Sequence, residues 1–175
     1  MKAIRCSKEL PWFRLTHASL YSFVILQAHK ERQVVAAYGE KNVLVADDSD
    51  ADFFFLEKAF ERAGLRHKLF RVRDGSQAIV YLEGGKPYED RNRWPFPNLV
   101  VLDERMAGVG GFDVLRFLRE RREICVPAVL LSGSASPRNI ETALELGAAE
   151  YISKPGGLNE LVLLAQTIHF RWLCE

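Results

Sequence analysis

Residues 43–64 read VLVADDSDADFFFLEKAFERAG. The apolar run Val43–Ala46 is too short for a helix and has the length of a buried strand. Two carboxylates, Asp47 and Asp48, end it. Over Ala51–Ala63 the apolar side chains return at helical spacing; Asp50 can cap the start, and Gly64 can end the helix in a left-handed conformation. Phe53, Phe54 and Phe55 do not all fit the core face of one helix, because successive residues point about 100° apart. One is expected at the surface. The segment is a strand with acid at its carboxyl end, followed by a helix.

The same unit recurs along the chain. Strands are expected at Leu69–Val72, Leu99–Leu102, Ala128–Leu131 and Tyr151–Ile152, and helices at Ser76–Glu83, Phe112–Glu120, Arg138–Leu146 and Leu158–Trp172. Asp74 or Gly75 precedes the second helix, Pro137 starts the fourth, and Gly147 suits a left-handed close to it. Short continuous apolar strands alternating with helices predict an α/β fold of (βα)5 type, a parallel sheet covered on both faces. Between the second helix and the third strand, Gly84–Pro97 holds paired glycines, three prolines and the aromatics Tyr88, Trp94 and Phe96. It reads as a long surface connection, either functional or simply packed.

Composition agrees with one globular domain: 175 residues, 48% hydrophobic and 27% charged, with Lys+Arg 24 against Asp+Glu 23. Charge is unevenly placed. Residues 1–41 carry seven Lys/Arg and three Asp/Glu, net +4, which leaves net −3 for the rest. The chain therefore divides into an extension over 1–40, helical or poorly ordered, and an acidic domain over 41–175. No overall basic field invites nucleic acid, and the cluster Arg116–Arg122 reads as a solvated helix end. Cys6, Cys125 and Cys174 show no metal-ligand spacing or paired framework, which favours a reducing cytoplasm. No apolar run spans a membrane; Ala18–Ala28 is the longest candidate, and although Lys2, Arg5, Lys8 and Arg14 precede it, no small-residue cleavage site follows closely. An amphipathic helix using Leu20, Phe23 and Val24 is the alternative there.

Open parallel sheets place their sites at the carboxyl ends of the strands, where strand order reverses. At those ends stand Asp47 and Asp48, Asp103, Ser132, and Lys154 with Pro155. Clustered carboxylates repel one another unless a cation shares the site, and hard oxygen ligands suit Mg²⁺. Lys154 can neutralise an anion, and the Ser132 hydroxyl can donate to its oxygen. The set fits a phosphoryl group carried on an aspartate.

From about Lys41 onward the chain resembles the receiver domain of two-component response regulators. The resemblance is carried by VLVADDSDADFFFLEKAFERAG, VRDGSQAIVYL, PNLVVLDERMAGVGGFDVLRFLRE and VPAVLLSGSASPRNIETALELGAAEYISKP, in family order and spacing. It implies a three-layer α-β-α flavodoxin-like fold with sheet order 2-1-3-4-5. It implies Asp103 as phosphoacceptor, with Asp48, Asp103 and the backbone carbonyl of Arg105 binding Mg²⁺ directly and Asp47 through water. Ser132 and Lys154 would hold the phosphoryl group, Pro155 would form a cis Lys–Pro peptide, and Ser132 with Tyr151 would form the switch. The donor would be a sensor histidine kinase or phosphotransfer protein, met at the first helix. The Gly84–Pro97 connection and the ending IHFRWLCE further resemble single-domain regulators associated with bacterial phytochromes, which often dimerise. Here that would use the fourth-helix, fifth-strand, fifth-helix (4-5-5) face or the C-terminal helix, where Phe170, Trp172 and Leu173 lie.

Glu104, Arg105, Met106 and Ala107 depart from the family's usual residues after the acceptor. Glu104 is expected to add negative charge near the acidic cluster, and Arg105 a cation that bears on phosphoryl lifetime. Gly110 and Gly111 are expected to supply a tight turn. Taken singly, Asp47 and Asp48 read as helix caps, Ser132 as a loop serine and Lys154 as a solvated cation; together they do not. Two other functions remain open. One is a Mg²⁺-dependent phosphatase with Asp48 as nucleophile and Asp50 as acid; the other is a pseudo-receiver that works without phosphorylation. His17, His29, His67 and His169 lie near no nucleophile and read as incidental.

Overall fold

The computed structural model of the chain describes residues 40–174. Except for Glu40, the expected extension over 1–40 lies outside them, as do Cys6, His17, His29 and the candidate helix Ala18–Ala28. The elements are β1 (Asn42–Ala46), α1 (Asp50–Arg62), β2 (Lys68–Val72), α2 (Gly75–Glu83), β3 (Leu99–Asp103), α3 (Gly111–Glu120), β4 (Ala128–Ser132), α4 (Pro137–Glu145), β5 (Glu150–Ser153) and α5 (Leu158–Ile168), followed by a π-helical turn over His169–Leu173. The sheet is parallel throughout, in the order β2-β1-β3-β4-β5. This is the (βα)5 arrangement the alternating pattern predicts, with the flavodoxin-like strand order the resemblance implies.

Burial explains which strands lie inside. Val43–Ala46, Leu99–Leu102 and Ala128–Ser132 are buried along β1, β3 and β4, and their continuous apolar character follows from having helices on both faces. Helix α1 packs against α5, and α2 against α3. Ala46 pairs with Leu102, Asp103 with Leu131, and Ser132 with Ser153. Level strand ends bring the polar residues to one edge.

Several local details differ from the sequence reading. Ser49, not Asp50, caps α1: its side chain accepts from the Asp52 amide at 3.2 Å. Asp50 already stands in the first turn, where it pairs with Arg71 at 2.5 Å and Arg73 at 2.9 Å. The last helix does not continue regularly to Trp172. Past Ile168 the backbone widens into a π turn that buries His169 and Leu173 while Arg171 and the Trp172 indole both reach Glu150. The left-handed turn after Asp103 falls at Gly108. Gly111 serves a close approach instead, since a Cβ there would lie 2.5 Å from the Asp103 carbonyl. Gly147, with φ of 93°, closes α4 as expected.

The Gly84–Pro97 connection is packed. Arg91 donates to the carbonyls of Tyr81 (2.9 Å), Leu82 (3.0 Å) and Trp94 (3.3 Å), satisfying the end of α2 and folding the loop back on it. Tyr81, Tyr88, Trp94 and Phe70 form one aromatic cluster beneath. His67 and His169 are not incidental to packing: they hydrogen-bond at 2.8 Å and tie the approach to β2 to the C-terminal turn.

Candidate functional site

Asp47 follows β1 directly and is buried. Its amide donates to the Val72 carbonyl at 3.1 Å, its Oδ1 accepts from the Ser49 amide at 2.8 Å, and its carbonyl accepts from Arg71 Nε at 3.0 Å. The arginine thus clamps the β1–α1 turn, with its guanidinium over the Phe53 ring at 5.1 Å. Phe54 and Phe55 are the exposed members of the aromatic triplet. Asp48 is exposed and accepts from the Ala107 amide at 3.1 Å, a link from the first turn to the loop beyond β3.

Asp103 ends β3 with its side chain only 11% exposed. Burial pushes its carboxyl above the usual range, and the neighbouring Lys154 ammonium draws it back. Oxygen atoms of Asp47, Asp48 and Asp103 lie within 4.8 Å of one another. Three hard carboxylates this close, with one cation among them, suit a small divalent ion such as Mg²⁺. Arg105, two residues past Asp103, lies exposed in the loop that would present its carbonyl.

Lys154 Nζ lies 2.7 Å from Asp52, 3.0 Å from Asp47 and 3.2 Å from Asp103. Burial alone would lower its pKa, but the hydrogen bonds from Asp52 and Asp47 and the charge of Asp103 hold it well above the ordinary lysine value. The sequence reading missed Asp52. Its signal was a further carboxylate in the first turn of α1, just beyond the acids that end β1. The expected cis Lys154–Pro155 bond is a correction: among the described residues the cis X–Pro bond is Lys86–Pro87. Lys154 reaches Asp103 nonetheless, because its amide donates to the Ser132 carbonyl at 2.6 Å and fixes the end of β5 beside β4. A cavity of about 310 Å³ opens beside the lysine, lined by Asp47, Asp52, Phe55, Pro155 and Leu158 among others.

Ser132 is fully buried, and its hydroxyl donates to the Ser134 carbonyl at 2.7 Å. Tyr151 is buried too. Glu104 does not bring its charge into the acidic cluster; its carboxylate accepts from the Tyr151 hydroxyl at 2.7 Å and from Asn139 Nδ2 at 2.9 Å. Asp50, the acid of the phosphatase alternative, is held below the ordinary carboxylate range by Arg71 and Arg73.

Comparison with known proteins agrees with this geometry. A sequence model described as the response regulator receiver domain matches residues 43–166. Response regulator Rcp1 of Synechocystis is 28% identical over 134 residues, covering 76% of this chain and 89% of Rcp1. The crystal structure of its Mn²⁺-bound form gives a TM-score of 0.67 over 76% of this chain and 94% of that one. The response regulator RPA3017 in red light signalling of R. palustris is 33% identical, with a TM-score of 0.71 over 74% of this chain and 92% of its own. The phosphorylated cyanobacterial phytochrome response regulator RcpA is 26% identical, with a TM-score of 0.70 over 77% and 95% of the two chains. Among the described residues no helix is long and apolar enough to cross a membrane.

Proposed function

The chain belongs to the response regulator receiver family of two-component signalling, and from that premise we propose that Asp103 accepts a phosphoryl group from a sensor histidine kinase or phosphotransfer protein and that the phosphorylated chain signals through protein–protein contacts. Receiver domains bind Mg²⁺ at their acidic pocket, and the trio Asp47, Asp48 and Asp103 has the donor chemistry for it. When bound, the ion supplies positive charge against the phosphoryl oxygens.

The observation that carries the proposal is Asp103 itself, with Lys154 Nζ at 3.2 Å and two further carboxylates on the same edge. In the transfer an Asp103 oxygen forms a bond to phosphorus as the phosphorus–nitrogen bond of a phosphohistidine breaks. The leaving imidazole keeps the electron pair and takes a proton from water. Lys154 meets the transferred charge, and the Ser132 hydroxyl turns from Ser134 to donate to a phosphoryl oxygen. Signalling then follows if the phosphorylated state favours one arrangement of β4, β5 and their helices. The proposal includes a homodimer through the α4–β5–α5 face or the C-terminal helix, where Leu144 and Phe170 stay exposed. It places the chain in the cytoplasm, with no membrane or nucleic-acid partner.

A phosphatase with Asp48 as nucleophile needs Asp50 to deliver a proton. Two arginines keep Asp50 ionised, which makes it a poor acid. A phosphorylation-independent pseudo-receiver leaves the assembled acid–lysine set without a use. Intact-mass spectrometry after incubation with Mg²⁺ and acetyl phosphate separates the three. One phosphoryl adduct, lost in Asp103→Asn but formed in a folded Asp50→Asn control, is expected. An adduct that survives Asp103→Asn and vanishes in Asp48→Asn would point to the phosphatase, and no adduct from either acetyl phosphate or a phosphohistidine donor to the pseudo-receiver.

A further inference from the structure

Glu104 follows the acceptor directly, yet its side chain runs away from the acidic pocket. Its backbone is fixed on both sides: the amide donates to the Leu131 carbonyl at 2.7 Å, and the carbonyl accepts from the Gly111 amide at 3.3 Å. From that base one carboxylate oxygen takes the Tyr151 hydroxyl at 2.7 Å, and the other takes Asn139 Nδ2 at 2.9 Å. Asn139 lies in the first turn of α4, where its amide donates to the N-cap Ser136 at 3.1 Å. One acid therefore ties the end of β3 to β5 and to the start of α4.

Tyr151 has one hydroxyl proton and two acceptors in reach, Glu104 Oε2 at 2.7 Å and the Ser134 carbonyl at 3.0 Å. The same Ser134 carbonyl already receives the Ser132 hydroxyl at 2.7 Å. A charged acceptor takes the proton in preference to a shared neutral one. Without Glu104 the tyrosine would be left to neutral partners, the Ser134 carbonyl and the Ser132 hydroxyl, and Ser132, by staying or turning toward a phosphoryl group, would decide how free both are.

We propose that Glu104 is a positioning residue for Tyr151: its carboxylate anchors the tyrosine inward and fixes the first turn of α4 before any phosphoryl group arrives, so that phosphorylation of Asp103 moves Ser132 and leaves Tyr151 in place. The part concerning phosphorylation rests on the receiver reading; the anchor itself does not. The Tyr151 side of the α4–β5 surface is then preset in its inward arrangement, and phosphorylation is read through the movement of Ser132 at the end of β4.

The test uses the full chain labelled with 3-fluorotyrosine, with the Tyr151 resonance assigned by its loss in Tyr151→Phe. In the unmodified sequence that resonance is expected to be protected from a soluble paramagnetic agent, and equally protected after Mg²⁺ and acetyl phosphate. In Glu104→Ala it is expected to lose protection several-fold without the donor and to regain it with the donor. Glu104→Leu, close in size and without an acceptor, serves the same purpose if the alanine variant does not fold. Full protection of Tyr151 in either folded variant, or a change in protection of the original chain on phosphorylation, would overturn the proposal. Mass spectra of the same samples report the adduct separately. Its absence here and with a phosphohistidine donor would sink the acceptor reading, while the unphosphorylated samples still decide the anchor.

Discussion

Lys154 serves three carboxylates at once, and the shortest of its contacts is to Asp52 rather than Asp103. An ammonium shared in this way is drawn partly off the acceptor. Asp52→Asn is expected to raise the rate of phosphoryl uptake from a small donor by about two- to fivefold, the scale of a half-exposed ion pair. Quenched time courses read by intact mass check this, and a slower variant would contradict it. The effect should vanish in a Lys154→Ala background, because Asp52 acts through the lysine. His67 offers a pH prediction away from the site. Burial, with the neighbouring His169, lowers its pKa from 6.5 to about 4. Between those values the unfolded chain binds the extra proton, so stability is full above pH 6.5 and falls as pH drops toward 4. Urea midpoints measured across that window should fall less in His67→Gln than in the original chain.

At the scale of elements, every strand and helix of the domain was legible because each is a short apolar run or a helical stripe bounded by Gly, Pro or acid. What escaped were choices among equals. Asp47, Asp48, Ser49 and Asp50 all have capping side chains, and only the position of Arg71 and Arg73 settles that Ser49 caps while Asp50 pairs. The π turn was hidden because its partners, Glu150 and His67, lie on other parts of the chain. Glu104 announced a charge but not its direction, since a residue's identity does not say which neighbour reaches it first. The Gly84–Pro97 connection carries a prediction at this scale. Arg91 satisfies carbonyls at the end of α2 with a planar fork, so Arg91→Ala should cost about 2 kcal/mol in urea unfolding. Arg91→Lys should recover little of that, because an ammonium does not reproduce the fork.

For the whole molecule, the parallel sheet turns five separate strand ends into one polar edge. That is why Asp47, Asp48, Asp103, Ser132 and Lys154 could be assembled from their places in the sequence. The extension over 1–40 lies outside this strand–helix alternation, so its candidate helix Ala18–Ala28 could be read only from its own amphipathic pattern. A Mg²⁺ ion held by the three carboxylates of the folded chain stabilises that chain alone. At a hundred times the dissociation constant, thermal unfolding should report about 2.7 kcal/mol of added stability. Asp48→Asn should lose most of that gain, and equal gains in both chains would place the ion elsewhere.

The central claim is chemical: a phosphoryl group forms an acyl phosphate on one particular carboxylate. Borohydride reduction of the chain treated with acetyl phosphate and Mg²⁺ converts such an aspartyl phosphate to homoserine, which peptide sequencing by mass spectrometry locates. Homoserine at position 103 and at no other aspartate is the predicted result. Homoserine at position 48, or at none in a folded chain that binds Mg²⁺, would contradict the account.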